Sequence, residues 1–234
     1  MRSPRIILRT LYSSLRRRGL VGTLREIVRY VRDPLVPWPS DPAFDRLHGT
    51  DTDGVIMPAE MDVSSESRLY GTRYEATPME RFPTLLARVQ ADFRDYTFID
   101  VGCGKGRTLL MAANYPFREI IGIEYSEQLC RIAERNIQRF VRPGLACSKL
   151  SVVCADATEY ELPRVPLVMY LYNPFHEPIM RAFVESLGAS LRAHPRKIHV
   201  IYNRPLQDEL FASADFLVKR DTAQDLSIYE SVAG

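Results

Sequence analysis

TFIDVGCGKG, residues 97–106, decides the fold. Thr97 to Val101 is a short run of strand-forming residues broken only by Asp100, and it reads as a buried strand. Gly102, Gly104 and Gly106 follow on alternate positions, and RTLLMAA then has the composition of a helix. Strand, sharp glycine turn and helix form the first half of a βαβ unit. Bare backbone at its turn lets a small molecule approach the main chain where a Cβ would stand in the way.

Two ligand classes compete for such a turn. Dinucleotide sites use G-x-G-x-x-G, with a pyrophosphate at the helix N-terminus. The spacing here is G-x-G-x-G, and Asp100 precedes the first glycine by two residues. A carboxylate there repels pyrophosphate and attracts an ammonium group, which favours S-adenosylmethionine through its methionine moiety. Glu124, at the end of the second strand-like run IIGIEYS, can accept hydrogen bonds from ribose hydroxyls, a role that fits NAD equally well. Asp156, just beyond the run in SVVCADAT, can accept one from an adenine amino group. Each feature also has a plain structural explanation: a tight turn, a solvated carboxylate, a helix cap. Their order and spacing along three successive strands favour the S-adenosylmethionine site.

Working outward, strand-like runs fall near 97–101, 119–124, 150–154, 166–172 and 197–202, with helix-like stretches near 105–115, 126–141, 176–192 and 206–212. This alternation predicts an α/β fold, a parallel sheet with helices on both faces. DFLVKRD and LSIYESV near the end pair as a hairpin. Upstream, Thr77, Pro78 and Glu80 have the form of a capping box that opens a helix, with Phe82, Leu85, Leu86 and Val89 on its buried face and a kink expected at Pro83. Residues 33–65 are rich in proline, glycine and aspartate and read as a connector, in which Asp51 to Gly54 is a solvated turn.

Residues 1–32 hold nine arginines against one glutamate, whereas the remaining body has 22 basic and 28 acidic residues. The head carries two amphipathic helical patterns, Leu8, Leu11, Tyr12, Leu15 and Leu24, Ile27, Val28, Val31. It is expected to dock on the parent domain or to contact a partner protein, a membrane surface or nucleic acid. Domain organisation is therefore a basic helical extension at 1–32, a connector at 33–65 and a catalytic domain at 66–234. No apolar run is long enough for a membrane-spanning helix, and four cysteines without a Cys-x-x-Cys pair beside four histidines suggest neither zinc nor disulfides. No metal site is expected, and the location expected is cytoplasmic.

TFIDVGCGKGRTLL, IIGIEYS, VVCADAT and LVMYLYNPF together resemble the successive motifs of class I S-adenosylmethionine-dependent methyltransferases, over about residues 95–232. The resemblance implies a Rossmann-like sheet of seven strands, the last antiparallel, and places cofactor roles on Asp100, Gly102, Gly104, Gly106, Glu124 and Asp156. The fourth strand ends in Tyr172-Asn173-Pro174-Phe175, where Asn173 can hold an acceptor amine with its side-chain oxygen. This stretch is similar to the Asn-Pro-Pro-aromatic motif of amino-methylating enzymes, though with one proline. It is also similar to the Asn-Phe element of the non-SET lysine methyltransferases. LYGTRYEATP resembles the upstream element of that second group, which implies that Tyr70, Tyr74 and Thr77 fold over the cofactor. Thr72 stands where those enzymes have a glutamate. The expected reaction is methyl transfer to a nitrogen of a protein side chain or small molecule. The alternatives are a catalytically inert cofactor-binding scaffold, a nucleic-acid-binding module and an NAD-dependent oxidoreductase.

Overall fold

The computed structural model describes residues 41–62, 70–140, 143–223 and 225–232. The basic head and its amphipathic patterns lie outside the described residues. The described residues all belong to one compact unit, residues 40–234.

In this unit, seven strands form one sheet: β3 (Thr97–Val101), β4 (Glu119–Glu124), β5 (Leu150–Cys154), β6 (Leu167–Tyr172), β7 (Ile198–Asn203), β8 (Leu217–Ala223) and β9 (Leu226–Ser231). Their spatial order is β5-β4-β3-β6-β7-β9-β8. The first five pair in parallel, and β9 enters antiparallel between β7 and β8. This is the seven-stranded, mostly parallel sheet with an antiparallel last strand that the motifs predict. The strands fall within a residue or so of the expected runs.

Strands β3 and β7 are buried along their whole length because both sheet faces are covered. Alternate side chains divide between two cores. Phe98, Val168, Tyr170 and Ile201 face one layer, where α3 (Arg107–Ala112) and α4 (Glu127–Phe140) contribute Leu109, Leu110 and Phe140. Ile99, Met169, Leu171 and Tyr202 face the other, with Met180, Phe183 and Leu187 of α5 (Glu177–Ala193) and Phe211 of α6 (Asp208–Ala212). Edge strand β8 is exposed at Lys219 and Arg220, charges that discourage pairing with another sheet.

Two upstream regions depart from the sequence expectation. The helix expected from Thr77 begins only at Arg81, as α2 (Arg81–Leu86), capped by Glu80. Thr77 turns inward instead, its hydroxyl 2.8 Å from that of Tyr170. Pro83 is the third residue of α2, where a backbone N–H has no intrahelical acceptor, so proline is accommodated in the first turn. Phe82, Leu85, Leu86 and Val89 are buried as expected.

The supposed connector is the larger surprise. It contains α1 (Pro42–His48) and β1 (Val55–Ile56), the latter paired antiparallel with β2 (Tyr74–Glu75). Its aspartates are structural acceptors. Asp45 receives the Thr50 hydroxyl at 2.7 Å, the Thr52 hydroxyl at 2.7 Å and the backbone N–H groups of Thr52 and Asp53. These bonds hold its carboxyl below the usual range against the opposing effect of burial. A sequence rich in Asp, Gly and Pro does have turn character, but here the turns are tied down by side chains from the sheet domain.

Candidate active site

The tips of β3, β4, β5 and β6 converge on one end of the sheet, and the glycine turn leaves β3 between them. Gly102 and Gly104 both have positive φ, +79° and +55°, which favours glycine. The space beside each is filled by protein. A Cβ on Gly102 would lie 2.7 Å from Pro174, and one on Gly104 would lie 2.1 Å from the Tyr74 ring. The sequence reading reserves this space for a ligand; the glycines are required first by the Pro174 turn and by Tyr74, which lies across the loop. Gly106 caps α3, also at positive φ.

Glu124 is 3% exposed and holds the turn in place. Its Oε2 accepts the Gly104 N–H at 2.9 Å, and its Oε1 accepts those of Tyr125 at 3.0 Å and Ser126 at 2.9 Å. Burial raises its proton affinity and the three N–H groups oppose the rise. A carboxylate has about four lone-pair sites, so roughly one is left for a ribose hydroxyl. Asp156 is half-buried and its Oδ1 accepts the N–H and hydroxyl of Thr158 at 2.9 and 2.7 Å, the local turn that capping predicts.

Asp100 differs from both. It is 3% exposed, and its surroundings push its pKa up to about 8: burial first, then the neighbouring Glu124 charge, offset by a hydrogen bond with Thr108. Among the described residues no positive charge enters this balance. An ammonium group beside it would supply the missing partner. The donor set therefore fits the methionine end of S-adenosylmethionine.

Two hollows meet at Gly102. The first, about 290 Å³ out to open solvent, is lined by Ile123, Tyr125, Ala155, Asp156, Ala157, Phe175 and Ile179. It is largely apolar with one carboxylate at its rim, as a purine requires. The second, about 260 Å³ on the same measure, lies between Asp100 and Thr108 on one side and Tyr74, Thr77, Tyr170 and Tyr172 on the other.

Asn173 sits between the sheet tip and the rim, with φ of +44°. The Tyr202 hydroxyl lies 3.3 Å from its Oδ1 and 2.8 Å from Gln207 Oε1. One hydroxyl proton serves one acceptor at a time, and the nearer is Gln207, which leaves acceptor capacity on Asn173. Tyr70 to Thr72 clasp this turn: Thr72 N–H donates to Pro174 O at 3.1 Å, His176 N–H to Tyr70 O at 2.7 Å, and Gly71 bridges Phe175. The upstream element thus folds over the turn, with Tyr74 and Thr77 lining the second hollow. His176 caps α5 and Glu177 is its first residue, their expected helical place.

Arg107 escaped the sequence reading. It is 1% exposed, and its guanidinium reaches Thr52 Oγ1 at 2.7 Å, Asp41 Oδ2 and O at 3.0 Å, and Asp45 and Asp53 at 3.8 Å. Lys105 adds Asp51 Oδ1 and Asp53 O, both at 2.8 Å. The available signal was a single charge opening a helix otherwise buried throughout. Among the described residues no three His, Cys, Asp or Glu side chains are grouped to hold a metal ion, and no helix is long and apolar enough to cross a membrane.

A doubly covered sheet of this strand order, with a glycine turn and carboxylates at its tips, defines the Rossmann-like methyltransferase class. Residues 98–194 match the family model described as a methyltransferase domain, which supports an S-adenosylmethionine-dependent methyltransferase. Among solved structures, it is 15% identical to a predicted N6-adenine-specific DNA methylase from Listeria monocytogenes, with a TM-score of 0.50 over 68% of this chain and 52% of that one. An RNA methyltransferase from Salinibacter ruber, in complex with S-adenosyl-L-homocysteine, is 17% identical with a TM-score of 0.44, over 67% of this chain and 92% of that one. At 15% identity the likeness to the Listeria protein is one of fold alone. No curated protein matches the chain.

Proposed function

We propose that the protein transfers a methyl group from S-adenosylmethionine to a nitrogen on a protein side chain or small molecule, held at the tip of β6 by Asn173. The cofactor's amino-acid end lies by Asp100 and Thr108, its ribose by the remaining acceptor site of Glu124, and its adenine in the first hollow beside Asp156. Gly102, Gly104 and Gly106 shape the turn beneath it, with Tyr74 and Thr77 above. The observation that carries the reading is the meeting of the two hollows at Gly102, against which the Asn173-Pro174 turn is packed.

When bound, the cofactor supplies a methyl group already activated by its sulfonium. The chain has to align the acceptor and exclude water. Asn173 Oδ1 accepts a hydrogen bond from the acceptor N–H and turns the nitrogen lone pair toward the cleft. Tyr172, Tyr170 and the clasp at Tyr70–Thr72 exclude water from the same side. An acceptor that arrives protonated gives up its proton to solvent before transfer.

Radiolabelled methyl transfer into fractionated lysate, with protein, small-molecule and nucleic-acid fractions counted separately, tests the reading. Label in the protein or small-molecule fraction, incorporated several-fold more slowly by Asn173→Ala, is expected. Tight S-adenosylhomocysteine binding without label in any fraction would establish the inert scaffold instead, and label in nucleic acid alone would reassign the acceptor.

A further inference from the structure

Two thiols meet beside the first hollow. Cys130, in the first turn of α4, is buried, and its Sγ donates to the Glu124 carbonyl oxygen at 3.3 Å. The same oxygen accepts the Ala155 N–H at 2.9 Å. Cys130 therefore lies against the Cys154–Ala155 peptide, and Cys154 is the ladder partner of Glu124 on β5. Val152, two residues back on β5, packs into the core that Phe140 of α4 closes, so strand alternation turns the Cys154 side chain to the α4 face as well. Cys154 is exposed, so an oxidant in solution reaches one sulfur of a pair whose other member is inside.

We propose that Cys130 and Cys154 form a reversible disulfide site that lowers cofactor affinity when oxidised. The oxidant is a small disulfide such as oxidised glutathione. The Cys154 thiolate attacks one of its sulfurs and expels one glutathione thiolate, leaving a mixed disulfide. The Cys130 sulfur, giving its proton to solvent, then attacks Cys154 Sγ and expels the second. Two protein thiols are oxidised and one glutathione disulfide is reduced to two thiols. Burial and the adjacent Cys154 hold the Cys130 proton tightly, which fixes this order of attack.

Closure joins the two sulfurs in an S–S bond of about 2.0 Å. Cys130 Sγ is thereby drawn from the Glu124 carbonyl, and the end of β5 is drawn toward α4. Ala155 and Asp156, the next residues of the chain, line the first hollow, and Glu124 clamps the glycine turn. The lost affinity rests on the cofactor placement proposed above, whereas the thiol chemistry does not.

The full chain, incubated with oxidised glutathione and digested without reduction, is read by mass spectrometry alongside calorimetric titration with S-adenosylhomocysteine. The expected result is a cross-linked peptide pair carrying Cys130 and Cys154, with affinity lowered about tenfold and restored by reductant. Cys154→Ser should show neither change, while Cys147→Ser behaves as the parent. A stable glutathione adduct on Cys154 without the cross-link overturns the proposal, as does a cross-link that leaves affinity within twofold. A protein that forms the cross-link but never binds S-adenosylhomocysteine would overturn the cofactor placement instead.

Discussion

The two hollows beside Gly102 are built differently. The first comes almost entirely from the sheet and the loops that follow its strands, residues 102 to 179. The second is roofed by residues 74 to 77, which precede the sheet in sequence. The hollow beside Asp156 is thus a direct product of the α/β framework. The space beside the reacting end exists only while the upstream segment stays in place. Arg107 and Lys105, on the glycine turn and its helix, hold Asp41, Asp51, Thr52 and Asp53, and the Thr52 carbonyl in turn accepts the Tyr74 hydroxyl.

The strongest way to break this comparison is Arg107→Ala. It removes a buried cation from Asp41 and its neighbours, and the expected loss is about 3–5 kcal/mol of stability. Thermal unfolding checks the loss. If the tether governs only the second hollow, Arg107→Lys, which keeps the charge, should fold yet lose methyl transfer more than S-adenosylhomocysteine affinity.

Asp100 tests the cationic side of the second hollow. Its native pKa of about 8 lies above the ordinary carboxylate value, so the folded protein keeps a proton that the unfolded chain releases. By linkage, this group's contribution to apo stability is full below about pH 4 and declines as pH rises toward 8. Binding of an ammonium-bearing ligand expels the proton. Affinity for S-adenosylhomocysteine should therefore rise by up to about tenfold per pH unit approaching pH 8. Asp100→Asn should flatten that profile and weaken binding in calorimetry, and Asp100→Ala should weaken it too.

A smaller expected effect sharpens the division between the hollows. Asn173→Ala removes one hydrogen bond to the acceptor, about 0.5–1.5 kcal/mol, so turnover should fall roughly 3- to 10-fold with cofactor affinity within twofold. Steady-state kinetics beside calorimetry separates the two quantities. Tyr202→Phe, which removes a hydroxyl that favours Gln207 over Asn173, should change turnover least.

How much was legible follows the same division. The strands of the sheet could be read because buried parallel strands are continuous apolar runs, and the glycines mark the turn wherever the neighbour lies. The upstream segment misled because its order comes from partners distant in sequence. Asp45 and Asp53 have turn chemistry in any chain, and nothing local announces that Arg107 lies across from them. Thr77 followed by Pro78 has every local mark of a helix cap, yet its hydroxyl is needed by Tyr170, 93 residues on. Glu124 was read as a ligand carboxylate, while three backbone N–H groups in its own fold claim most of its capacity.

The strap formed by Tyr70 to Thr72 crosses the Asn173 turn through a single bridge at Gly71, made by the amides of Thr72 and His176, and through the Thr72 hydroxyl on Asn173 O and Pro174 O. So short a seam can part without unfolding the sheet, since the strands beneath are sealed by a core it does not share. Deuterium uptake at those two amides would time the opening, and occupancy of the crevice should slow it.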